Sequence, residues 1–239
     1  MPGAVGLVGT DESAISLAEL DRELLAAIGH DRPRVALVTL DRVTLANSDP
    51  ARGRNDDHRL RGLGAEVEVV VVADPHADRA GATPLDAARQ AIGEADIVYL
   101  AMGPRGALSR AVVTTPIGDA IAAAHGRGAI VVGCGSGAML LGSAEPTVRR
   151  RLLPSPIRWS DALGLLPGIV VLPGYDARPE AAMAALALVA ARHALVLGID
   201  ADTAAVGRDG SLRVYGRGRV TVWRGRHRER FRRGETLRL

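Results

Sequence analysis

Short apolar runs that alternate with helix-like segments constrain this chain most. Residues 34–40 (RVALVTL) and 66–73 (EVEVVVVA) are nearly continuous apolar runs, typical of strands buried on both faces. Residues 16–29 instead place leucine and isoleucine at helical spacing and end at Gly29. This alternation predicts a three-layer α/β fold, a mostly parallel sheet with helices on both faces. The other predicted strands are 3–9, 96–102, 129–134, 168–174 and 194–199, and the other helices are 85–95, 115–124, 179–193 and a short one ending near Gly64.

The end of the chain follows a different pattern. Residues 211–225 (SLRVYGRGRVTVWRG) alternate with period two around Gly-Arg-Gly, which predicts a β-hairpin. Residues 224–239 form a basic tail with seven arginines and two glutamates. No linker or internal repeat divides the chain. We therefore expect a single domain over 1–239, with an α/β core in 1–200 and the hairpin and basic tail in 201–239.

Composition excludes several classes of protein. The chain has no run of 18 apolar residues, so it is not expected to span a membrane. Its opening, MPGAVGLVGTDE, has no basic segment before an apolar one, which predicts no secretory signal and a cytoplasmic location. One cysteine excludes an internal disulfide and a multi-cysteine zinc site. With 3% aromatic residues and a net charge of +3, nucleic-acid binding is not favoured, although the basic tail could contact phosphates.

The segment AIVVGCGSGAMLLG at 129–142 is the strongest local pattern. A strand leads into a turn of small residues and then into a helix, the geometry of a nucleophile elbow. The same residues admit a second interpretation, because Gly133, Gly135 and Ala138 match a dinucleotide-binding turn. That turn would follow the fifth strand rather than the first, and no acidic residue ends a strand about 20 positions later. The third interpretation is a tight turn in which glycines permit close packing.

Six segments along nearly the whole chain form an ordered set. They are GAVGLVGTDE (3–12), GLGAEVEVV (62–70), VYLAMG (98–103), VVGCGSGAMLLG (131–142), LGLLPGIVVLPGYD (163–176) and LGIDADTAAV (197–206). In this order they resemble the peptidase S51 family, which includes dipeptidase E and cyanophycinase. The resemblance implies a class I glutamine amidotransferase-like or flavodoxin-like fold, and a serine peptidase acting on aspartyl peptides.

This chain departs from the family at the positions that carry the chemistry. The family's nucleophilic serine falls on Gly135 and its histidine on Gly174. The first glycine of the pair that shapes the oxyanion hole falls on Met102, which leaves Gly103, and the late acidic position falls on Ala201. Glycine supplies neither an oxygen nucleophile nor an imidazole base. The resemblance therefore implies a relative without the usual catalytic groups.

Two residues of the turn could replace the missing nucleophile. Ser136 has small residues two before and two after it, so a shift of one position would place it at the tip of the elbow. Its ordinary role would be a helix N-cap. Cys134 would need a small residue at Val132 and is better explained as a buried strand end. Candidate bases are few, because each histidine also fits a structural role: His76, His125, His30, His58 and His193.

The sequence favours a catalytically inactive S51-like protein that binds a small molecule or peptide at the carboxyl ends of its strands. An active hydrolase that uses Ser136 and a dinucleotide-binding protein remain alternatives. No cofactor or metal is expected, and exposed edge strands are compatible with a homodimer. Asp176 has two possible roles, because it could line the pocket or could be a helix cap before Pro179. The expected pocket residues are Met102, Gly103, Cys134, Gly135, Ser136, Gly137, Tyr175 and Asp176.

Overall fold

The computed structural model of the chain describes residues 1–9, 18, 19, 21, 22, 25, 32–40, 56–74, 81–103, 106–147, 158–177, 179–190 and 195–239. The helix predicted over 16–29 lies largely outside these residues, although Ala18, Glu19, Asp21, Arg22 and Leu25 are helical. The strands are β1 (Val5–Val8), β2 (Arg34–Thr39), β3 (Glu66–Val71), β4 (Ile97–Leu100), β5 (Ile130–Cys134), β6 (Ala144–Thr147), β7 (Arg158–Asp161), β8 (Ile169–Pro173), β9 (Leu195–Ile199), β10 (Thr203–Arg208), β11 (Ser211–Gly216), β12 (Arg219–Arg224), β13 (His227–Arg232) and β14 (Thr236–Arg238).

Six helices of the described residues accompany the strands. They are α1 (Asp56–Gly62), α2 (Leu85–Glu94), α3 (Ala107–Val113), α4 (Pro116–Arg127), α5 (Ser136–Leu140) and α6 (Glu180–Ala190). Helix α4 begins as its sequence predicts, with Pro116 in the first turn and the Thr115 side chain accepting from the backbone of Ile117. It ends at Gly128, whose φ of 111° suits the left-handed region.

The central sheet confirms the predicted α/β architecture. Its order is β14-β11-β10-β1-β5-β4-β2-β3, and the five strands from β1 to β3 are parallel. One face packs against α2, α3 and α4 through side chains such as Ile92, Leu108 and Ile121. The other face packs against α1 and the helical residue Leu25. The sheet is therefore the middle of three layers.

A second sheet carries two of the strands that the sequence assigned to the first. Its order is β13-β12-β9-β8, with β8 and β9 parallel. One face joins the main core through Val171, Leu197 and Val222. Helix α6 covers the other face with Met183 and Leu186. The remaining strands, β6 and β7, form a separate antiparallel pair.

The hairpin predicted around Gly-Arg-Gly is wrong. Strand β11 pairs with β10 and β14 in the central sheet, whereas β12 pairs with β9 and β13 in the second sheet. The tight turn instead joins β10 to β11 at Asp209 and Gly210, with φ values of 52° and 73°. Two consecutive positive φ angles at Asp-Gly are typical of a type I′ hairpin turn. A separate hairpin joins β12 to β13.

A buried ionic cluster lies on the α1 side of the central sheet. Arg59 donates to Asp21 and Asp56 over 2.6 Å each and to the hydroxyl of Tyr99 over 3.1 Å. The side chains of Arg59 and Asp21 are 8% and 1% exposed. The second carboxylate oxygen of Asp21 has no hydrogen-bond partner in the described part of the chain. Burial raises the pKa of Asp21, although Arg59 opposes the shift.

Cys134 belongs to the same buried face. Its side chain lies among Val8, Leu37 and Tyr99 in the core on the α1 side. Burial raises the pKa of the thiol to about 12. The thiolate is the reactive form of cysteine, so this environment makes Cys134 a structural residue.

None of the described helices combines the length and apolar character needed to cross a membrane.

Replacing Arg59 by leucine should lower the free energy of unfolding by about 3–5 kcal/mol, because Asp21 would remain buried without its cation. Denaturant titration measures the change. Arg34→Leu is the matched control, since Arg34 pairs with Glu94 where both side chains are more than half exposed, and its loss should be about 0–1 kcal/mol. Equal losses in the two variants would contradict a special role for the buried cluster.

The Cys134 thiol should resist aromatic disulfide reagents at pH 8 in the native protein and react once the protein is unfolded. Its raised pKa keeps it protonated in the fold, whereas an unfolded thiol ionises near pH 9. As pH rises from about 9 towards 12, the unfolded state loses its proton first, so the fold should lose stability in that window. Rapid labelling without denaturant would show that the thiol is accessible.

Candidate active site

The carboxyl ends of strands from both sheets meet at one edge of the molecule. The amide of Gly135, directly after β5, donates to the carbonyl of Val8 at the end of β1 over 3.0 Å. Gly9, directly after β1, lies so close to the second sheet that a Cβ there would be 2.0 Å from the carbonyl oxygen of Asp200. The Tyr175 amide donates to Ile199 over 3.0 Å. Residues that follow β1, β5, β8 and β9 therefore surround one region.

Gly135 occupies the tip of the strand-to-helix turn. It precedes α5 with φ 55° and ψ −115°, a conformation that favours glycine. The turn is also closely packed, because a Cβ at Gly133 would lie 2.4 Å from the carbonyl oxygen of Gly137. A Cβ at Gly137 would lie 2.4 Å from the carbonyl oxygen of Leu100 on β4. Close packing alone therefore explains why residues 133 and 137 are glycines, and a bound dinucleotide is not needed to account for them.

Ser136 lies one position beyond the tip, as the first residue of α5. Its hydroxyl accepts from the amide of Gly103 and donates to the carbonyl of Gly103, both over 2.9 Å. The residue is 9% exposed. The N-cap predicted at Ser136 is wrong, since Gly135 holds that position without a side-chain bond. The Ser136 side chain instead joins α5 to the segment after β4.

That segment supplies Met102 and Gly103, both half-buried. A Cβ at Gly103 would lie 3.1 Å from the Leu40 side chain, a distance at which Leu40 would have to shift slightly. Three expected pocket residues are thus adjacent in space: Gly103, Gly135 and Ser136. Met102 and Gly137 neighbour them along the chain.

Tyr175 and Cys134 do not face this region. The Tyr175 ring packs against Gly198, where a Cβ would approach its Cδ2 to 2.2 Å, and its hydroxyl accepts from the Trp223 indole over 3.0 Å. Both aromatic residues belong to the core under α6. Cys134 points into the opposite core, on the α1 side. The expectation that these two side chains line a pocket is therefore wrong, because their strands direct them into the hydrophobic cores.

Gly174 follows β8 and has a φ of 61°, so it too occupies the left-handed region. Asp176, two residues later, accepts from the amide of Ala201 over 2.8 Å. The Asp176 carboxylate therefore joins the segment after β8 to the segment after β9. This contact replaces the predicted cap before Pro179.

Sequence reasoning missed a carboxylate–guanidinium pair at the same edge. Asp200 is 4% exposed, and one of its oxygens accepts from the backbone amide and the side-chain Nε of Arg219 over 3.0 and 3.4 Å. The other oxygen has no partner in the described part of the chain. Burial raises the pKa of Asp200, and the nearby Asp176 adds to the shift. The pairing was not visible in the sequence because the two residues come from different strands.

Neither of the two candidate bases that the structure describes is shown at this edge. His125 lies at the other end of the sheet, where its Nε2 is 2.9 Å from the carbonyl oxygen of Gly3. His58 lies on α1. The candidates His30, His76 and His193 lie outside the described residues. No group of three potential metal ligands occurs in the part of the chain that the structure describes.

A cavity of about 490 Å³ lies at the end of the sheet opposite Gly135. Its lining includes Val5, His125, Ile169 and Leu195, which come from the beginnings of strands or from α4. The cavity is therefore separate from the candidate site.

Comparison with solved structures shows the same fold in two peptidase structures. A peptidase from an acI-B1 Actinobacterium superposes with a TM-score of 0.77 at 22% sequence identity, over 100% of this chain and 98% of that one. A candidate peptidase E protein from Listeria monocytogenes EGD-e superposes with a TM-score of 0.62 at 16% identity, over 90% of this chain and 99% of that one. No curated protein matches the sequence.

The family assignment rests on the sequence as well as on the fold. The sequence model of peptidase family S51 matches residues 16–215. This match includes the turn at Gly135, the segment after β8 at Gly174 and the Asp200 region. The chain therefore belongs to peptidase family S51.

Proposed function

We propose that this S51 protein binds a small molecule or peptide at the carboxyl ends of its strands and does not hydrolyse it. The observation that carries the proposal is the residue at the tip of the turn. Gly135 has the strained backbone of an elbow and no side chain to attack a carbonyl. The family resemblance places the nucleophile at this position.

The position of the expected base supports the same proposal. Gly174 stands where the resemblance places the histidine, and its φ of 61° suits glycine better than histidine. Hydrolysis by this mechanism needs the nucleophile and the base together. Loss of both leaves only the residual effect of binding and of donors to the oxyanion, about 10³- to 10⁴-fold over water.

The contacts of Ser136 argue against a nucleophile that has moved by one residue. A serine nucleophile needs an exposed oxygen and a base within hydrogen-bonding distance. The Ser136 hydroxyl is buried and is bonded to both backbone groups of Gly103. Attack would require breaking both bonds to Gly103. A structural role explains these contacts without further assumptions.

The dinucleotide alternative receives no additional support from the turn. Gly133 is required by its contact with Gly137. Helix α5 has five residues, so its backbone dipole is short. Calorimetry with NAD and NADP is the direct check, and tight binding would favour that alternative over a peptide-like ligand.

The wild-type protein and Ser136→Ala should both fail to hydrolyse Asp-Xaa and β-aspartyl dipeptides, as measured by release of free amino acids. Ser136→Ala should also lower the free energy of unfolding by about 1–3 kcal/mol, because the Gly103 amide and carbonyl lose their partner. Ser143→Ala is the matched control. It removes a single bond, to the Ile169 carbonyl, and should cost about 0.5–1.5 kcal/mol.

Turnover by the wild-type protein would overturn the proposal. If that turnover vanished in Ser136→Ala while the protein stayed folded, Ser136 would be the nucleophile. If it persisted, another group would be responsible.

Restoring both missing groups should produce measurable dipeptide hydrolysis. The variant Gly135→Ser with Gly174→His returns an oxygen to the tip of the turn and an imidazole to the segment after β8. We expect it to lose about 2–5 kcal/mol of stability, because both positions have backbone conformations that L-residues rarely adopt. Circular dichroism establishes that the variant is folded before activity is assayed.

Gly135→Ala with Gly174→His is the matched control, since it carries the same backbone strain without the hydroxyl. Activity in the serine variant alone would show that the pocket still accepts an aspartyl peptide. A folded but inactive serine variant would indicate that the pocket has changed beyond the two catalytic positions.

A further inference from the structure

Strand β13 forms the open edge of the second sheet. It pairs with β12 on one side, and no strand of the described residues lies on its other side. Arg232 shows which backbone groups point outwards, because its amide and carbonyl both bond to Glu235 and not to β12. In an antiparallel pair these groups alternate, so the backbone of Arg228 and Arg230 also points outwards. Among the described residues, none bonds to these outward groups of Arg228 and Arg230.

Specific hydrogen bonds occupy part of three other sheet edges, those of β3, β8 and β14. On β3, Thr83 bonds to both the amide and the carbonyl of Val71, and Arg61 bonds to the carbonyl of Val67. On β8, Ser143 bonds to the carbonyl of Ile169 through both its amide and its hydroxyl. On β14, the Arg238 carbonyl accepts from Arg224. On β13 the bonds to Glu235 occupy only the end of the strand, at Arg232.

The side chains of β13 give this edge a strong positive charge. Arg228, Arg230 and Arg232 lie on the face that carries α6, and Arg219 stands directly opposite Arg232 in the register. Two carboxylates form ion pairs with three of these four guanidinium groups. Glu180 pairs with Arg228 and Arg230, and Asp200 pairs with Arg219. Like charges directly opposite each other on a sheet repel, so the row has an excess of positive charge to be neutralised.

The neighbouring groups do not cancel this excess. Glu229 and His227 alternate with the arginines and so lie on the other face of β13. The Glu235 carboxylate accepts from the Arg232 backbone amide and adds one negative charge there, so three carboxylates stand against four guanidinium groups. Arg228 is held in position by its contact with the Trp223 ring, 5.6 Å from the ring centroid. The arginine row is thus partly ordered before anything binds.

We propose that the outer edge of β13 binds an extended acidic segment of another protein. The segment adds as a further strand, bonds to the backbone of Arg228 and Arg230, and carries aspartate or glutamate at every second residue. Main-chain bonds give affinity in this type of recognition, and the alternating side chains give specificity. The acidic residues lie beside Arg228, Arg230 and Arg232. This surface is independent of the function proposed for the strand-end site.

Strand β3 of a second copy does not supply this segment. Strand β3, with sequence EVEVVV, has the required alternation and is exposed at Glu66 and Glu68. Its outward backbone groups at Val67 and Val71 are already bonded to Arg61 and Thr83. It therefore cannot add to β13 without losing those bonds.

The experiment measures fluorescence anisotropy of a labelled peptide of alternating glutamate and valine with the full-length protein. The alternating peptide should bind, and raising the salt concentration should weaken it. Two control peptides have the same composition: one groups its glutamates in a block, and the other carries N-methyl groups on the amides that would face β13. Both should bind at least about tenfold more weakly, since they lose the register or the main-chain bonds.

Variants locate the binding surface. Arg228→Glu with Arg230→Glu should weaken binding of the glutamate peptide by about tenfold or more and should favour an alternating lysine peptide instead. Arg89→Glu with Arg127→Glu makes the same change of charge on the exposed surfaces of α2 and α4, and should leave peptide binding at the wild-type level apart from a small general effect of charge. If the reversed variant does not fold, Arg228→Gln with Arg230→Gln replaces it, with a smaller expected loss.

Three results would overturn the proposal. The first is an absence of binding by the alternating peptide, and the second is equal binding of the N-methylated or blocked peptide, which would reduce the effect to general attraction of charge. The third is concentration-dependent self-association of the protein that the β13 variants abolish, because the occupant would then be a second copy. Failure of the dipeptide experiments would not affect any of these outcomes.

Discussion

The close approach of the β5–α5 turn to its neighbours is the constraint on which the candidate site depends. Glycine is required at 133 and 137, because a Cβ at either position would lie 2.4 Å from a backbone oxygen. Gly135 between them has a positive φ. The Ser136 hydroxyl then joins the turn to Gly103 after β4. These demands come from the backbone and its packing, so they persist whether or not the site performs chemistry.

These packing demands explain why the match to peptidase family S51 reports on the fold of the turn and not on the side chain at its tip. Most of the conspicuous residues in the turn at 133–137 serve packing, and packing selects them in the same way in an active or an inactive protein. The nucleophile is a single side chain on a backbone that glycine can also adopt. A family match therefore establishes the fold, whereas an activity has to be argued from the individual side chains of the site.

The parallel core could be predicted because each strand carries its own information. The runs at 34–40 and 130–134 are apolar on both faces, as expected for strands of a covered parallel sheet.

The sequence predicts the wrong partners for the C-terminal strands, because β11 and β12 have the same alternation in a hairpin as in two separate sheets. The difference lies at Gly216, where a Cβ would be 1.9 Å from the carbonyl oxygen of Asp202. The chain passes from the central sheet to the second sheet after this residue, and the local alternation does not reveal that change. Similarly, Tyr175 follows a strand as a pocket residue would, but its ring packs against Gly198, where the missing side chain leaves room for it.

Two buried carboxylates, Asp21 and Asp200, show why polar groups persist in such a fold. Each has one oxygen held by an arginine and the other without a partner in the described part of the chain. Loss of either arginine would remove the counter-charge of a buried carboxylate, which makes that substitution unfavourable. Replacing Gly135 or Gly174 breaks no such pair. The two carboxylate–arginine pairs are therefore hard to lose one residue at a time, whereas a change of side chain at 135 or 174 acts through the backbone conformation of that position.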